Sequence, residues 1–401
     1  MAKPSLVKVL DVCKVAPMPH SPNSATQTSL PLTFFDVFWL RFPPNQHLFF
    51  YEFPNPKATL TETILPKLKH SLCVTFQHYL PLAGNLMWPP DADKPIIQYS
   101  KGFAIGYAAH HAVFDGKSIA LFMHSWASMC RRGGNSTLAL ELTPFYDRTI
   151  VNDPTNIEQA YLNCWVAHNG PNNRSLEIWD LKAPLDAILG TFQLTQANIQ
   201  CIKKWVTVKW QEKQAFHSSN FAVTSAYTWV CLIKTLKLTT EKVQLGVNID
   251  CRSRLKPPIP STYFGNCVTG CIVYADTSKL MEEDGVAIAA RAIGEAIGGL
   301  DDGVLKGAED LISNLLSIQK DVSLFSITGS PRFESYNTDF GWGRPKKVEI
   351  VSIEKSGAFS LSDSRDGNGG VEIGVVLKKH ETEAFASMFI SGLECHQVHE
   401  N

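Results

Sequence analysis

The sequence predicts an α/β (α+β) protein in which mixed sheets are flanked by helices. Two patterns support this class: apolar residues alternate with a period of two in some runs, and recur every three or four positions in others. Length is a third observation, because 401 residues exceed what one hydrophobic core usually holds. We therefore expect two domains, residues 1–165 and 191–401, joined by a turn-rich crossover over 166–190.

The composition is that of an ordinary globular protein. The 37 basic and 38 acidic residues nearly cancel, which leaves no electrostatic footprint for nucleic acid or an anionic membrane. The ten cysteines are scattered without a C-x-x-C pair, as in a reduced cytosolic chain. No secretory signal opens the sequence, and no apolar run approaches the length of a membrane span. We expect a cytoplasmic monomer with neither a nucleic-acid nor a membrane partner.

The first 80 residues predict strand, proline-rich loop, strand and helix. The segment Leu32–Asp36 lies between the two strands, and its aromatic residues either wall a pocket or pack in the core. Thr33 and Phe35 are its candidate substrate-binding residues. The helix is predicted over Lys57 to Leu80, with Pro66 starting a fresh turn.

The stretch Tyr107–Gly116 places an imidazole and a carboxylate four residues apart, at His111 and Asp115. The alternating apolar residues before it predict a buried strand: Phe103, Ile105 and Tyr107. The apolar residues after it share one helical face: Ile119, Phe122, Trp126 and Met129. His111 and Asp115 therefore lie on a strand-to-helix turn, where side chains of an α/β fold commonly face a cleft. Asp115 would equally serve as a helix N-cap alone.

The second half of the chain continues the alternation of strands and helices. A strand and a helix are predicted over Gln193–Trp210, a helix over Ser219–Leu236 and a strand over Val243–Asp250. Glu282–Asp321 is predicted to be helical. Three strands follow, and the chain closes with an amphipathic helix: Val348–Ile353, Ala358–Ser362, Val371–Leu377 and Glu381–Leu393.

Several motifs stand in a recognisable order: His111–Gly116, Tyr263–Cys267, Phe325–Arg332 and Asp339–Gly343. Together they resemble the plant BAHD family of CoA-dependent acyltransferases, and most of all its flavonoid and phenolic glucoside malonyltransferase branch. The resemblance implies two chloramphenicol-acetyltransferase-like domains with the active site in a tunnel between them. It also implies malonyl-CoA as co-substrate, a phenolic or flavonoid glucoside as acceptor, no bound cofactor and no metal.

The residue types suit transfer of an acyl group from a thioester to an alcohol. His111 would act as general base, and direct attack is expected because no Ser or Cys nucleophile motif is present. Trp342 would either donate its indole N–H to the oxyanion or merely pack. Asp339 would either assist catalysis or hold its own turn, and the structural role is favoured.

Further candidate residues would hold Asp115 or the substrates. The resemblance implies an Asp–Arg bridge that holds the His111 loop, with Arg252 preferred over Arg254. A helix N-terminus suits the carbonyls and phosphates of CoA, but its serines equally serve as caps. The residues at that predicted helix start are His217, Ser218 and Ser219. The candidate cations for a malonyl carboxylate are Lys117, Arg332 and Arg344.

The connection between Ser100 and Lys101 is unusually short. One predicted strand ends at Ser100 and the next begins at Lys101, whereas the resembled family carries several dozen residues there. We interpret this as a deletion that removes elements covering the sheet and lining the acceptor pocket. Two alternatives to the malonyltransferase therefore remain: an impaired or non-catalytic relative, and an acetyl- or hydroxycinnamoyltransferase.

Overall fold

A computed structural model of the chain describes residues 15–17, 29–51, 60–88, 96–99, 107–134, 137–179, 186–210, 219–317 and 323–398. In this part of the chain the α-helices are α1 (Phe34–Val37), α2 (Leu65–His78), α3 (Gly116–Arg131), α4 (Ile157–Ala167), α5 (Gln196–Trp210), α6 (Asn220–Leu236), α7 (Thr277–Met281), α8 (Gly285–Gly298), α9 (Leu311–Ser317), α10 (Ile353–Ser356) and α11 (Lys379–Val398).

The strands of the same ranges are β1 (Ser29–Pro31), β2 (Asn45–Phe50), β3 (Gly84–Met87), β4 (Ile96–Tyr99), β5 (Tyr107–Ala109), β6 (Ala187–Leu194), β7 (Lys242–Asp250), β8 (Val268–Asp276), β9 (Ser323–Thr328), β10 (Lys347–Ile350), β11 (Ala358–Asp363) and β12 (Val371–Lys378). They form a six-stranded sheet in the order β6-β12-β11-β9-β7-β8 and two three-stranded sheets, β1-β4-β3 and β10-β2-β5. The predicted strands and helices of the second half are thus largely confirmed.

The six-stranded sheet is mixed, as predicted. Strand β9 pairs in parallel with β7 and β11, whereas the other pairings are antiparallel. Alternate residues of β7 are buried, because one face of the strand meets the helices: Val243, Leu245, Val247 and Ile249. Helix α6 is buried along Ala222–Ile233, so it lies at the centre of this core.

A second core combines residues from both halves of the chain. Helices α1, α3 and α4 contribute many of its residues, and Tyr263, Phe264 and Phe340 pack into the same cluster. Strand β10 also comes from the second half, yet it pairs with β2 of the first. The two predicted domains therefore share apolar packing and a sheet. The boundaries predicted at 165 and 191 stay a prediction.

Helix α3 follows the turn that carries His111 and Asp115, as the sequence predicts. Asp115 is its N-cap, and the Asp115 side chain accepts a hydrogen bond from the Ser118 N–H. The predicted apolar face is buried: Ile119, Phe122, Trp126 and Met129. Gly133 and Gly134, with φ of 75° and 78°, end the helix in the left-handed conformation that glycine adopts without strain.

Two helical predictions need correction. The segment predicted as helix from Lys57 has a π-helical turn over Leu60–Ile64 before α2 begins, and Pro66 lies in the first turn of α2. The segment Glu282–Asp321 is not one helix, since α8 ends at Gly298 and α9 begins only at Leu311. Glycine and aspartate residues over 298–303 favour turns, which explains the break.

Neither a membrane-spanning helix nor a metal-binding cluster occurs in the part of the chain that the structure describes. No helix there has the length and apolar composition needed to cross a bilayer. Among the same residues, no three His, Cys, Asp or Glu side chains gather as ligands of a metal ion would.

Candidate active site

The turn between β5 and α3 presents the predicted base. A short 3₁₀ turn spans His111–Val113, between the end of β5 at Ala109 and the start of α3 at Gly116. His110 caps this turn, because its Nδ1 atom accepts a hydrogen bond from Ala112 N at 3.2 Å. Regular structure therefore holds the backbone on both sides of His111.

The imidazole of His111 is half-buried and neutral. Its ring stacks on Trp39, with ring centroids 3.8 Å apart and planes inclined by 14°. Burial lowers the pKa of His111 to about 4, against smaller raising effects from its own backbone carbonyl, Asp115 and Asn266. At neutral pH the ring therefore lacks the extra proton, which is the state that a general base requires.

The Asp115 carboxylate is buried in a bridge to Arg252. Arg252 Nη1 lies 2.9 Å from Asp115 Oδ2, and Arg252 Nη2 donates to Asp115 Oδ1 at 3.1 Å. The backbone N–H groups of Ser118 and Cys267 donate to the same two oxygens, each at 2.9 Å. The predicted pairing of Asp115 with Arg252 is confirmed. All these contacts fix the buried carboxylate below the turn.

Arg252 is buried and its two terminal nitrogens are hydrogen-bonded, whereas Arg254 lies on the surface. Arg252 is 1 % exposed, and its Nη2 also donates to the backbone carbonyls of Tyr263 and Gly265. Burial lowers the pKa of Arg252, but the Asp115 carboxylate outweighs it and the pKa is raised. Arg254 instead donates to Asp301 at 2.7 Å on an exposed surface. The two arginines are therefore distinguished by position: one lies under the His111 loop and the other lies at the periphery.

A second buried carboxylate, Asp36, supports the other side of the loop. Asp36 Oδ1 accepts hydrogen bonds from the Asn266 backbone N–H at 2.9 Å and from Asn266 Nδ2 at 3.0 Å. Asn266 Nδ2 also donates to the His111 carbonyl oxygen at 2.9 Å. Arg148 Nη1 lies 3.4 Å from Asp36 Oδ2 and supplies the counter-charge. The loop is thus tied down by two carboxylate–arginine pairs.

The predicted substrate residues Thr33 and Phe35 lie beside this second carboxylate. Thr33 caps α1, and both its N–H and its hydroxyl donate to Asp36 Oδ2 at 2.9 Å. Phe35 is 2 % exposed and, with Trp39 and Tyr161, lines a cavity of about 10 Å³. Such a volume holds about one water molecule, not a substrate ring. Their part in substrate binding stays a prediction.

The Asp339 turn is built differently. Asp339 Oδ1 accepts hydrogen bonds from the backbone N–H groups of Gly341 at 2.8 Å and Gly343 at 3.0 Å. Arg131 Nη1 lies 4.0 Å from Asp339 Oδ2. These contacts are the ones expected of a carboxylate that holds its own turn.

Trp342, on the same turn, packs among aromatic rings. Its indole stacks on Phe340, with centroids 5.5 Å apart, and meets Tyr51 edge-on at 6.1 Å. Tyr51 anchors this group because its hydroxyl donates to the Thr338 carbonyl at 2.7 Å. Direct contacts therefore support the packing role of Trp342. Its role as a hydrogen-bond donor to the oxyanion stays a prediction.

The predicted CoA residues are only partly within the described chain. Ser219 is the N-cap of α6, and its hydroxyl oxygen accepts a hydrogen bond from the Ala222 N–H at 3.1 Å. His217 and Ser218 lie outside the described residues. Whether this segment binds CoA stays a prediction.

The three candidate cations differ in what they contact. Lys117 Nζ donates to Asp250 at 2.9 Å, and Arg344 donates to Asn337. Within the described residues the Arg332 guanidinium makes no hydrogen bond or ion pair, and the side chain is exposed. Its neighbour Phe333 packs against Gly116, where a Cβ would lie 2.5 Å from the ring. The loop of Arg332 therefore lies directly on the first turn of α3.

Four contributors to the site were not predicted from the sequence: Asp36, Trp39, Arg148 and Asn266. Asn266 stands inside a motif that was used only to find the resemblance, and Asp36 ends the segment in which Thr33 and Phe35 were the candidates. The sequence did contain a signal for Asp36, because it is a charged residue that follows Phe34 and Phe35 in an apolar segment. A carboxylate buried in such a segment needs hydrogen-bond or ionic partners.

Solved structures share this architecture. Vinorine synthase superposes with a TM-score of 0.64 over 95 % of this chain and 97 % of its own, at 18 % sequence identity. At that identity the likeness shows the fold alone. The chain has the chloramphenicol-acetyltransferase-like acyltransferase fold that the sequence predicts.

Family comparison completes the assignment. A family model described as "Transferase family" matches residues 14–98 and 96–391, and the chain belongs to this family, the BAHD acyltransferases. Similar proteins from Arabidopsis thaliana include phenolic glucoside malonyltransferase 1, 32 % identical over 97 % of this chain and 98 % of its own. Malonyl-CoA:anthocyanidin 5-O-glucoside-6''-O-malonyltransferase is 34 % identical over 97 % and 99 %. Coumaroyl-CoA:anthocyanidin 3-O-glucoside-6''-O-coumaroyltransferase 2 is 31 % identical over 97 % and 99 %.

The same comparisons bear on the short connection after Ser100. The alignment with the first of these relatives runs over 464 positions, more than the 401 residues present here, so the relative has residues without counterparts. The family match is split, and its two parts meet at residues 96–98. The split therefore falls within a few residues of the predicted deletion.

Proposed function

We propose that this acyltransferase moves a malonyl group from malonyl-CoA to a sugar hydroxyl of a phenolic or flavonoid glucoside. The names of the similar malonyltransferases support the donor and the acceptor class. The observation that carries the chemistry is the neutral, stacked imidazole of His111, on a loop tied down through Asp115 and Arg252. The chain is proposed to act as a cytoplasmic monomer, from the charge balance and the scattered cysteines.

In the proposed mechanism, His111 Nε2 takes the proton of the sugar hydroxyl as the alkoxide oxygen attacks the thioester carbonyl. The tetrahedral intermediate then collapses, the C–S bond breaks, and the imidazolium returns the proton to the departing CoA thiolate. No acyl-enzyme forms, so both substrates must be bound together. Asp115 carries no proton in this scheme. Its task is to hold the loop so that the His111 imidazole reaches the hydroxyl. A general base in such a position typically raises the rate roughly 10²–10⁴-fold.

The malonyl carboxylate is proposed to bind Arg332. This guanidinium is uncommitted within the described residues, whereas Lys117 and Arg344 already donate to Asp250 and Asn337. A carboxylate in a partly dry site needs a cation, and a guanidinium matches it with two parallel hydrogen bonds.

The assay follows transfer from malonyl-CoA or acetyl-CoA to a flavonoid glucoside, by CoA release and product mass. The wild type is expected to prefer malonyl-CoA, and Arg332→Met is expected to lower malonyl transfer while sparing acetyl transfer. Lys117→Met is the matched control, since its lysine is paired with Asp250. A wild type that transfers only acetyl or coumaroyl groups contradicts the proposed donor.

A second candidate function is an impaired relative that binds ligands without efficient turnover. The excess length of the alignments over this chain favours it, and the two parts of the family match meet at residues 96–98, within β4 and shortly before β5. Inserting the corresponding segment of a relative between Ser100 and Lys101 tests this candidate. Higher turnover and a higher melting temperature in the restored form would support impairment, and equal values would contradict it.

A further inference from the structure

The His111 imidazole must carry a positive charge for part of the proposed reaction. It becomes an imidazolium when it takes the proton of the acceptor hydroxyl, and it stays charged until it returns that proton to the departing thiolate. Burial opposes a charge that forms in such a place, so a nearby group has to stabilise it. In a Ser-His-Asp triad that group is a carboxylate hydrogen-bonded to the ring.

The carboxylates near the His111 loop are already bound to other donors. Both oxygens of Asp115 and both oxygens of Asp36 accept hydrogen bonds from buried arginines, backbone N–H groups or neighbouring side chains. His111 Nδ1 is buried and meets no hydrogen-bond partner among the described residues. The neighbouring His110 supplies no counter-charge, since burial lowers its pKa. Within the described part of the chain, the imidazolium therefore has no carboxylate bound to its ring.

The Trp39 indole instead covers one face of this imidazole. The ring centroids lie 3.8 Å apart and the planes are inclined by 14°, so the two rings lie face to face. Trp39 is 6 % exposed, and Phe38 and Phe42 pack edge-on against it with centroids 4.9 and 4.8 Å away. Its Nε1 atom is buried and has no hydrogen-bond partner among the described residues. The indole therefore acts on His111 through its ring face.

An aromatic face attracts a cation that lies within about 6 Å of its centroid, and indole attracts one more strongly than the rings of Tyr or Phe do. We propose that the face of Trp39 stabilises the imidazolium form of His111 during acyl transfer. Trp39 is a positioning residue, because it contacts the imidazole and acts on the reaction through it. The inference rests on the proposed function, in which His111 is the base.

Trp39 has two opposite effects on the His111 ring. It covers one face of the ring and so contributes to the burial that lowers the pKa of His111, which keeps the resting imidazole neutral. Its π electrons favour the charged form once the proton has been taken up. Fluorination of the indole separates the two effects, because fluorine withdraws electrons from the ring face while the size of the side chain changes little.

The test replaces Trp39 alone, in the full-length chain, by tryptophans of increasing ring fluorination. Transfer from malonyl-CoA to a flavonoid glucoside is assayed at neutral pH. The kcat should fall stepwise, by roughly tenfold for the most fluorinated ring, because the imidazolium loses attraction. The KM for malonyl-CoA should stay unchanged, since the charge exists only during the reaction.

Trp126 is the matched control for the fluorinated series. It is also 6 % exposed, but it packs against Phe122 and Phe340. The same fluorinated residues at this position should leave kcat unchanged. An equal loss of kcat at Trp126 would reveal a general effect of fluorine and overturn the inference.

Conventional substitutions of Trp39 give a second kinetic comparison. Trp39→Phe keeps a smaller aromatic face and loses no hydrogen bond, so it should retain more activity than Trp39→Leu. Equal activity of these two variants, with an unchanged kcat in the fluorinated series, would show that Trp39 acts by packing alone and would overturn the inference.

An equilibrium measurement separates failure of this inference from failure of the proposed function. NMR titration of the histidine-labelled protein, with His111→Gln to assign the signal, follows the pKa of His111 in each fluorinated protein. This pKa should fall as fluorination increases, because the charged form is favoured less. An unchanged pKa together with an unchanged kcat overturns the inference. A falling pKa with an unchanged kcat contradicts His111 as the base instead.

Discussion

The two motif turns of this enzyme carry an aspartate each and use it in opposite surroundings. Asp115 has a side-chain exposure of 2 % and pairs with Arg252 at 2.9 Å, across the junction of the two halves of the chain. Asp339 has a side-chain exposure of 28 %, holds its own glycine turn and lies 4.0 Å from an exposed Arg131. This difference shows that the structural importance of a motif carboxylate depends on how deeply it is buried and on which groups it contacts. The Asp115 carboxylate joins its turn to Arg252 in the second half of the chain, whereas the Asp339 carboxylate binds the glycines of its own turn.

The largest expected effect separates the turn that carries the base from the turn that does not. His111→Ala should lower kcat/KM by roughly 10²–10⁴-fold, since the hydroxyl loses its proton acceptor. The loop should survive, because Asp115 and Asp36 hold it without the imidazole. Steady-state assays and a thermal melt measure both. Activity above about a tenth of wild type would be too high for the loss of a general base.

The next effect tests the buried bridge. Arg252→Met should destabilise the protein by about 3–5 kcal/mol, because it leaves Asp115 buried without its cation. The double variant Asp115→Asn/Arg252→Met should lose less than the sum of the two single losses, since either change breaks the same pair. Denaturant unfolding of the four proteins completes the cycle. Losses that simply add would show that the bridge is not a unit.

The pH dependence of activity and stability tests the burial of the His111 imidazole. The lowered pKa of His111, about 4, keeps the base unprotonated below its usual titration range near 6.5. The acid limb of kcat/KM should therefore lie near pH 4 to 5. The stability sign follows: the unfolded chain takes up the proton first, so stability is lost as pH falls from about 6.5 towards 4. A kinetic limb near pH 6.5 would contradict burial of the imidazole in the working enzyme.

The smallest effect belongs to the Asp339 turn. Asp339→Asn keeps an acceptor for Gly341 and Gly343 and removes only a charge that is distant from Arg131. We expect a loss of about 1 kcal/mol in the free energy of unfolding, because two hydrogen bonds to a charged acceptor become weaker bonds to a neutral one, with kcat nearly unchanged. Arg131→Met is the companion control. A fall in kcat of a hundredfold or more would move Asp339 into the catalytic machinery.

Local patterns predicted much of this molecule, and long-range contacts account for what they missed. The face of α3 and the alternation in β7 follow from spacing alone. Arg252 was chosen because the family resemblance implied an Asp–Arg bridge and because it follows a predicted strand. The stack of Trp39 on His111 and the bond from Asn266 to Asp36 join residues far apart in the chain. No local periodicity encodes such contacts. The break between α8 and α9 was missed for a different reason, since the alanine-rich composition hid the turn-forming glycines and aspartates.

The sheet that supports β5 has a consequence for synthesis on the ribosome. Strand β2 lies between β5 and β10, and β10 begins only at Lys347. Until that residue emerges, one edge of β2 has no partner strand, while Leu48 and Phe50 of β2 are apolar and exposed even in the finished fold. Nascent or truncated chains ending before Lys347 should therefore bind chaperones or aggregate through this edge. The His111 loop gains its final support only when most of the polypeptide has been made.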